Sequence, residues 1–446
     1  MPEQSNGMRK RGGTDWHHIG RALRHRNYRL FFGGQGVSLI GTWMTRVATG
    51  WLVYRLTGSA FLLGLVSFAG QIPILILGPF AGVWVDRLNR HRVLVVTQIL
   101  SMLESFALAG LALSGTITVT QIILLNLFQG AVNSFDMPAR QAFVIEMVED
   151  RADLPNAIAL NSSLVNAARL VGPSVAGLLI AAVGEGYCFL LDGISYIAVI
   201  ASLLAMTVGA WTPRRHEPVL TELREGWNYI RGFRPIWAIL LLLVVISLVG
   251  MPYTALMPIF AGKILHGGAN TFGFLMGAAG VGALIGAVTL AARRSVLGLG
   301  RVIPMTAAGF GASLIAFSAS RMLWLSLLLL VVTGFSFMQQ MASSNTILQT
   351  ISEDSKRGRV MSFYAMAFQG VAPFGSLAAG AVASRIGAPL TLMIGGAICI
   401  VGAGLFASQL RAIRQLIRPI YVEMGILPEL AAGIQTASAL QQPPEE

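Results

Sequence analysis

The sequence predicts an all-α polytopic membrane protein with twelve transmembrane helices in two pseudo-symmetric bundles of six. Three observations carry that reading. Of 446 residues, 54% are hydrophobic and only 12% charged, with a mean hydropathy of +0.68; soluble domains carry about a quarter charged residues. Apolar runs of about 20 residues recur, each long enough to cross a ~30 Å hydrocarbon core as a helix. They do not alternate apolar and polar residues as barrel strands do. The longest internal connection splits the runs six and six, and the basic residues gather at one set of run ends.

A basic tail, residues 1–29, precedes the first run. That run is too long for a signal-peptide core and no A-x-A site follows it, so a retained first helix is expected. The first bundle, residues 30–210, contains spans at 30–56, 60–84, 92–114, 117–136, 157–183 and 187–210. The linker, residues 211–235, places Leu220, Leu223, Trp227 and Ile230 at helical spacing, with Arg224, Arg231 and Arg234 beside them. That pattern predicts an amphipathic helix lying on a leaflet. The second bundle, residues 236–410, contains spans at 236–262, 270–292, 302–320, 322–347, 359–384 and 387–410, before a tail at 411–446. Of 32 Lys and Arg, 26 fall at the ends shared by both tails, while Arg55, Lys263, Arg321 and Arg385 fall at the opposite ends. The positive-inside rule then puts both termini in the cytoplasm, and the inner membrane is the expected location. The halves also echo each other. Val171-Gly172-Pro173 and Val371-Ala372-Pro373 are 200 residues apart, after the charged turns VEDRADL and SEDSKRGR. Duplicated bundles are the usual build of a rocking transporter.

The connection AGVWVDRLNRHR, residues 81–92, is more charged than topology requires. Acidic residues contribute little to orientation, yet Asp86 is present. Gly82, Asp86, Arg87, Arg90 and Arg92 resemble the loop 2–3 signature of the major facilitator superfamily, G-x-x-x-D-R-x-G-R-R, with Asn89 where glycine is usual. Asn also tolerates a left-handed turn, so this departure costs little. Gly172, Pro173 and Gly177 resemble the antiporter motif of superfamily exporters, with Ala176 for one glycine. GTWMTRVATGWLVYRLTGS and FDMPARQAFVIEMV are similar to the branch holding the enterobactin exporter and macrolide efflux pumps. The resemblance implies two facing bundles, in which residues 82–92 meet the start of span 11 near Gly358. Asp86 would then latch the gate, gaining about 1–2 kcal/mol from the helix dipole and the arginines. Taken without the family, Gly172-Pro173 is equally a packing kink, and Gly273/Gly277 and Gly282/Gly286 are close-packing pairs.

Three helices carry polar stripes: Gln35, Ser38, Thr42 and Arg46; Asn126, Gln129, Asn133 and Asp136; Ser162, Asn166, Arg169 and Pro173. These predict an aqueous cavity; the alternative is interhelical hydrogen bonding. Arg46 and Glu104 both sit roughly 16–18 Å deep at 1.5 Å per residue. A buried ion costs several kcal/mol unless paired, so an Arg46–Glu104 pair is expected, leaving Arg169 to anchor substrate. The second half offers Met251, Tyr253, Met257, Phe335, Met338, Gln339, Gln340, Ser343, Met361, Phe363, Tyr364, Phe368 and Gln369, mostly core, with Gln340 and Gln369 as cavity candidates.

These readings point to a secondary active exporter of a siderophore or a hydrophobic drug-like molecule. The two mid-depth arginines favour anionic or catecholate cargo. No G-x-x-x-x-G-K-[ST] is present, so this chain does not hydrolyse ATP; by family resemblance the coupling ion is a proton. No nucleophile–base pair suggests an enzyme, no cofactor is implied, and a monomer is expected. The six histidines fall in tails or at helix ends and propose no metal. Cys188 and Cys399 read as small packing hydrophobes. The +12 charge tracks topology and does not imply nucleic acid. The rivals are a flippase or importer of the same fold, or a non-transporting sensor.

Overall fold

In the computed structural model of the protein, residues 20–208, 219–293 and 295–426 are described, and all the regular structure among them is helical. Residues 1–19 and 427–446, Arg294 and most of the linker's first half lie outside the described residues. So do the side chains of Leu220, Leu223 and Arg224.

The first six rods are α1 (Arg26–Thr57), α2 (Ala60–Arg87), α3 (Arg90–Leu113), α4 (Val119–Met147), α5 (Leu154–Val183) and α6 (Glu185–Leu204). The linker helix α7 is Val219–Gly232. The seventh rod, Arg234–Ile264, joins α8 (Arg234–Val245) to α9 (Tyr253–Ile259), with π-helical turns at Ile246–Gly250 and Phe260–Ile264. Then come α10 (Ala269–Ala291), α11 (Leu299–Ala319) and α12 (Leu323–Ile351). The eleventh rod, Arg357–Ile386, joins α13 (Arg357–Ala365) to α14 (Ala372–Ile386) through a π turn at Met366–Gly370; α15 (Ala388–Glu423) is last. The π turns lie close to Pro252, Pro258 and Pro373. Each proline lacks an N–H and crowds the carbonyl four residues back, and a widened turn relieves both.

Ten rods are apolar and long enough to cross a membrane. The other two, α1 and α4, have the length and are diluted by their polar stripes. Short connections force successive rods antiparallel. Gly58 takes φ 60° to end α1, and the Ser59 hydroxyl accepts from Leu62 N to start α2. Thr118 and Gln121 form a reciprocal capping box at the start of α4. Asn89 departs from the expected left-handed turn. It is extended, at φ −68°, and its side chain caps α3 by accepting from Arg92 N. An N-cap needs a short polar acceptor, which Asn has and glycine lacks.

Two helices outrun the expected spans. α4 continues from residue 136 to Met147 because Ala139, Phe143, Val144 and Met147 extend its buried face past Pro138. α15 continues to Glu423, with Ile413 and Ile417 buried and Arg411, Arg414 and Arg418 on its outer side.

Within the first bundle α1 packs on α5 and α6, α3 on α4 and α6, and α2 on α4. Within the second, α12 packs on α10 and α11, and α15 packs on α11 and α8. Side chains on Gly282 or Gly334 would collide with the carbonyls of Val331 and Ala279, so α10 and α12 meet backbone to backbone. The bundles join where α5 lies along α10 and α2 lies along α14. Those pairings are exchanged by the pseudo-two-fold relating the halves, fifth rod on eighth and eleventh on second.

Candidate functional site

The rod ends nearest Asp86, Leu204 and Lys356 form the basic end; the tight turns at Gly58 and Gly184 belong to the far end. Glycines mark how the bundles touch. A Cβ on Gly177 would lie 2.8 Å from the Ala269 carbonyl and 2.9 Å from the Gly273 Cα. Gly64 meets Ser376 and Gly380 as closely across α2 and α14. The seam continues inward through Phe68 on Phe374, 5.7 Å between ring centroids, and through Leu170 beside Gly280. Towards the basic end, Ser162 and Ser163 of α5 and Gln369 of the eleventh rod are exposed, and Asn166 is half-buried. Polar side chains at span depth face water or protein, not lipid. The far halves are thus zipped together, while towards the basic end the polar faces of α5 and the eleventh rod stand uncovered and outline a candidate vestibule.

At the blind end of that vestibule, Arg46 and Arg169 flank one indole. The Arg46 guanidinium is 4.8 Å and the Arg169 guanidinium 5.7 Å from the Trp43 ring centroid. Gly172 makes this possible. Trp43 Cβ occupies the space a side chain there would take, 2.5 Å from an ideal Cβ, so α1 and α5 close on each other. Each cation over an indole gains about 0.5–2 kcal/mol. Among the described residues neither arginine has an ion-pair partner; Arg46 is exposed and Arg169 half-buried. Gly172 and Gly177 are close-packing positions: one brings α1 to α5, the other α5 to α10.

The Arg46–Glu104 pair is not formed. Glu104 lies inside the first bundle, 4% exposed, because α3 packs its polar face on α6, where Phe106 fills the gap beside Gly193. Its neighbour there is Asp192 of α6, through Ser105. The Ser105 hydroxyl lies 3.1 Å from Asp192 Oδ2 and 3.5 Å from Glu104 Oε2, and Thr45 of α1 donates to the same Asp192 oxygen at 2.7 Å. The α4 stripe is also turned inward. Asp136 accepts from Thr97 at 2.9 Å and Gln98 at 2.7 Å, and pairs with Arg140. Gln129 donates to Ser101 at 3.0 Å and lies near Asn133. Gln35 is buried in the first bundle, and Thr42 lies 3.4 Å from the Tyr196 hydroxyl. Gln340 is buried in the second bundle, donating to Ser344 at 3.3 Å. Of the expected cavity residues, Gln35, Glu104, Asp136 and Gln340 therefore sit within the bundles. Helix spacing gave the stripes that hold Gln35 and Asp136, and depth gave the level of Glu104, but neither gave which neighbours those side chains meet. Trp43, Thr45 and Asp192 were missed. The signal available was a Trp three residues before an Arg on one helix face.

At the basic end Asp86 accepts from Arg90 at 2.8 Å, and Arg90 donates to Glu146 of α4 at 2.6 Å. This ties α2, α3 and α4 within one bundle. Gly82 is half-buried, and Arg87 and Arg92 are exposed. Across the vestibule, Arg359 of α13 pairs with Glu225 of α7 at 2.7 Å. Trp227 of α7 packs between Trp237 and Phe363.

Two six-helix bundles packed face to face, fifth rod on eighth and eleventh on second, give the architecture of a membrane transporter. Residues 21–418 match the profile of the transmembrane secretion effector family, and the chain belongs to that family of the major facilitator superfamily. It is 25% identical to the staphyloferrin A transporter of Staphylococcus aureus, covering 85% of this chain and 96% of that one. It is 30% identical to the multidrug efflux pump Tap of Mycolicibacterium fortuitum over 79% and 88% of the two chains. It is 23% identical to macrolide efflux protein A of Streptococcus pyogenes over 88% and 99%. Among solved structures, a bacterial homologue of the lysosomal transporter Spinster superposes with a TM-score of 0.65 at 13% identity, over 91% and 99% of the chains. The nucleoside transporter NupG superposes with a TM-score of 0.69 at 11% identity, over 87% and 99%. These two likenesses concern fold alone.

Proposed function

We infer that the protein is a proton-coupled exporter of an anionic, aromatic small molecule such as a siderophore, working by alternating access in the inner membrane. One observation carries the substrate class: two guanidinium groups, without an ion-pair partner among the described residues, lie on one indole. An anion with a flat ring answers both, by charge-assisted hydrogen bonds and by stacking. Relatives named for a siderophore and for drugs or macrolides agree with amphipathic cargo. By the positive-inside rule the basic end is cytoplasmic, so the vestibule opens inward and the far seal faces outward. Inside-out vesicles energised by respiration are expected to accumulate a labelled catecholate. A protonophore should abolish that uptake, and removing ATP at constant gradient should leave it unchanged. Uptake that follows ATP instead would overturn the reading.

The Asp86 cluster is the gate in this scheme. With the vestibule open, Asp86 is held by Arg90; on closure it meets the positive start of α13 near Gly358. Asp86→Asn is therefore expected to hold the protein inward-open. A cysteine at Gly358 should then label faster from the cytoplasmic side than in the unsubstituted protein. Equal rates would remove the latch.

A further inference from the structure

We propose that Glu104 and Asp192 form a proton-binding site, holding one proton between them, that is joined to the arginine site through Thr45. The proposal rests on the transporter reading only for the use made of the proton; the site is testable without transport.

Both carboxyls are nearly sealed, at 4% and 1% exposure. Among the described residues neither makes an ion pair, whereas buried Asp136, Glu185 and Asp153 each have a cation. The Ser105 hydroxyl stands between the pair, 3.1 Å from Asp192 and 3.5 Å from Glu104. It has one proton and can donate to only one of them. Two ionised carboxylates sharing such a space repel each other and lack solvent, so the pair is stable when one carries a proton. Asp192 Oδ1 supplies an independent observation: it is buried and without a hydrogen-bond partner. It faces Gly41 of α1, where an ideal Cβ would lie 2.5 Å from it. A bare carboxylate oxygen against backbone is costly when charged and far less so when the group is a neutral acid.

Among the described residues the titratable groups facing the pair are few, and one is the buried Cys188 thiol, a turn before Asp192 on α6. Tyr196 of α6 has its hydroxyl beside Thr42. Asp136 of α4 is neutralised by Arg140. Glu185, at the start of α6, is held by Arg55 at 2.8 Å. Arg46 and Arg169 are engaged with Trp43 on the vestibule side. A proton is thus the cation the site is built to take.

Thr45 links the pair to substrate. It donates to Asp192 at 2.7 Å, and its chain neighbour Arg46, about 100° further round α1, reaches the vestibule. The Thr45 bond is charge-assisted only while Asp192 is ionised. Protonation loosens α1 from α6 beside the substrate arginine, and deprotonation tightens it.

Infrared difference spectroscopy on the purified full chain, with hydrogen ions as the only ligand titrated, tests the site. At neutral pH the protein is expected to show a protonated-carboxyl band that moves to lower frequency in D2O. Thr45→Val and Ser105→Ala, which each remove one hydroxyl donor, should shift that band. Glu104→Gln combined with Asp192→Asn should abolish it, and Glu353→Gln, which changes an exposed carboxylate beside Lys356, should leave it unchanged. No such band, a band that survives the double change, or one indifferent to both hydroxyl substitutions overturns the proposal. Replacing choline chloride by sodium chloride should have no effect; loss of the band in sodium would mean a metal cation site and also overturns it. If the double variant fails to fold, the hydroxyl variants decide. Failure of catecholate transport with the band intact would instead count against the exporter reading alone.

Discussion

Arg169→Ala is expected to weaken binding of an anionic aromatic substrate about 30-fold, while the protein still folds and extracts normally. The guanidinium is half-buried, has no ion-pair partner among the described residues and rests on the Trp43 ring. Folding therefore loses at most the cation–π contact. Substrate loses a charge-assisted bond of about 2 kcal/mol, and 1.4 kcal/mol is tenfold in affinity. Titration calorimetry with a catecholate, alongside yield and size-exclusion profile, separates the two effects. Arg169→Lys should recover part of the loss, because the charge stays while the planar fork goes. Equal affinity in Arg169→Ala and the unsubstituted protein would remove this arginine from the site.

Leucine at Gly177 is expected to abolish transport by a different route, through the far seal. The neighbours of Gly177 are backbone: the Ala269 carbonyl and the Gly273 Cα, each under 3 Å from an ideal Cβ. No rotamer change can make room, so α5 and α10 must part at that level. Overpacking of this kind costs about 1–3 kcal/mol. Here it falls on the zipped state alone, because the parted state leaves the position free. A shift of that size moves a two-state population by about 5- to 150-fold. Spin labels at Ser114 and Ser384, exposed far-end positions of the two bundles, should then move apart. Unchanged distances with normal transport would show that the seal is not part of the cycle.

Most of the architecture was legible in the sequence because a bilayer imposes one-dimensional rules. Run length set the spans, and basic residues marked one set of ends. Even α1 and α4, which are less apolar than the ten other rods, were read as spans from their own apolar runs. Their ends were less legible. α4 passes Pro138 because its buried face continues to Met147, and a membrane helix tolerates a proline when neighbours satisfy the freed carbonyl. Arg169 was also legible as a candidate, since it stands on the polar stripe of α5.

The carboxylates show where that legibility stops. Depth is a sum over residues at 1.5 Å each, so the sequence alone determined that Arg46 and Glu104 share a level. Azimuth is different. Whether Glu104 meets Arg46 or Asp192 depends on how α3 is rotated and which helix lies beside it, and small contacts decide that. Phe106 fits over Gly193, Trp43 fits over Gly172, and Gly41 admits Asp192. Each contact joins residues more than 80 positions apart, and no local pattern of charge or hydropathy encodes their pairing. The sequence by itself determined a twelve-span transporter with charge stranded at mid-membrane. The tertiary structure decided that Arg46 and Arg169 meet at Trp43 while Glu104 and Asp192 meet through Ser105, because close packing at single glycines sets how α1, α3, α5 and α6 are rotated.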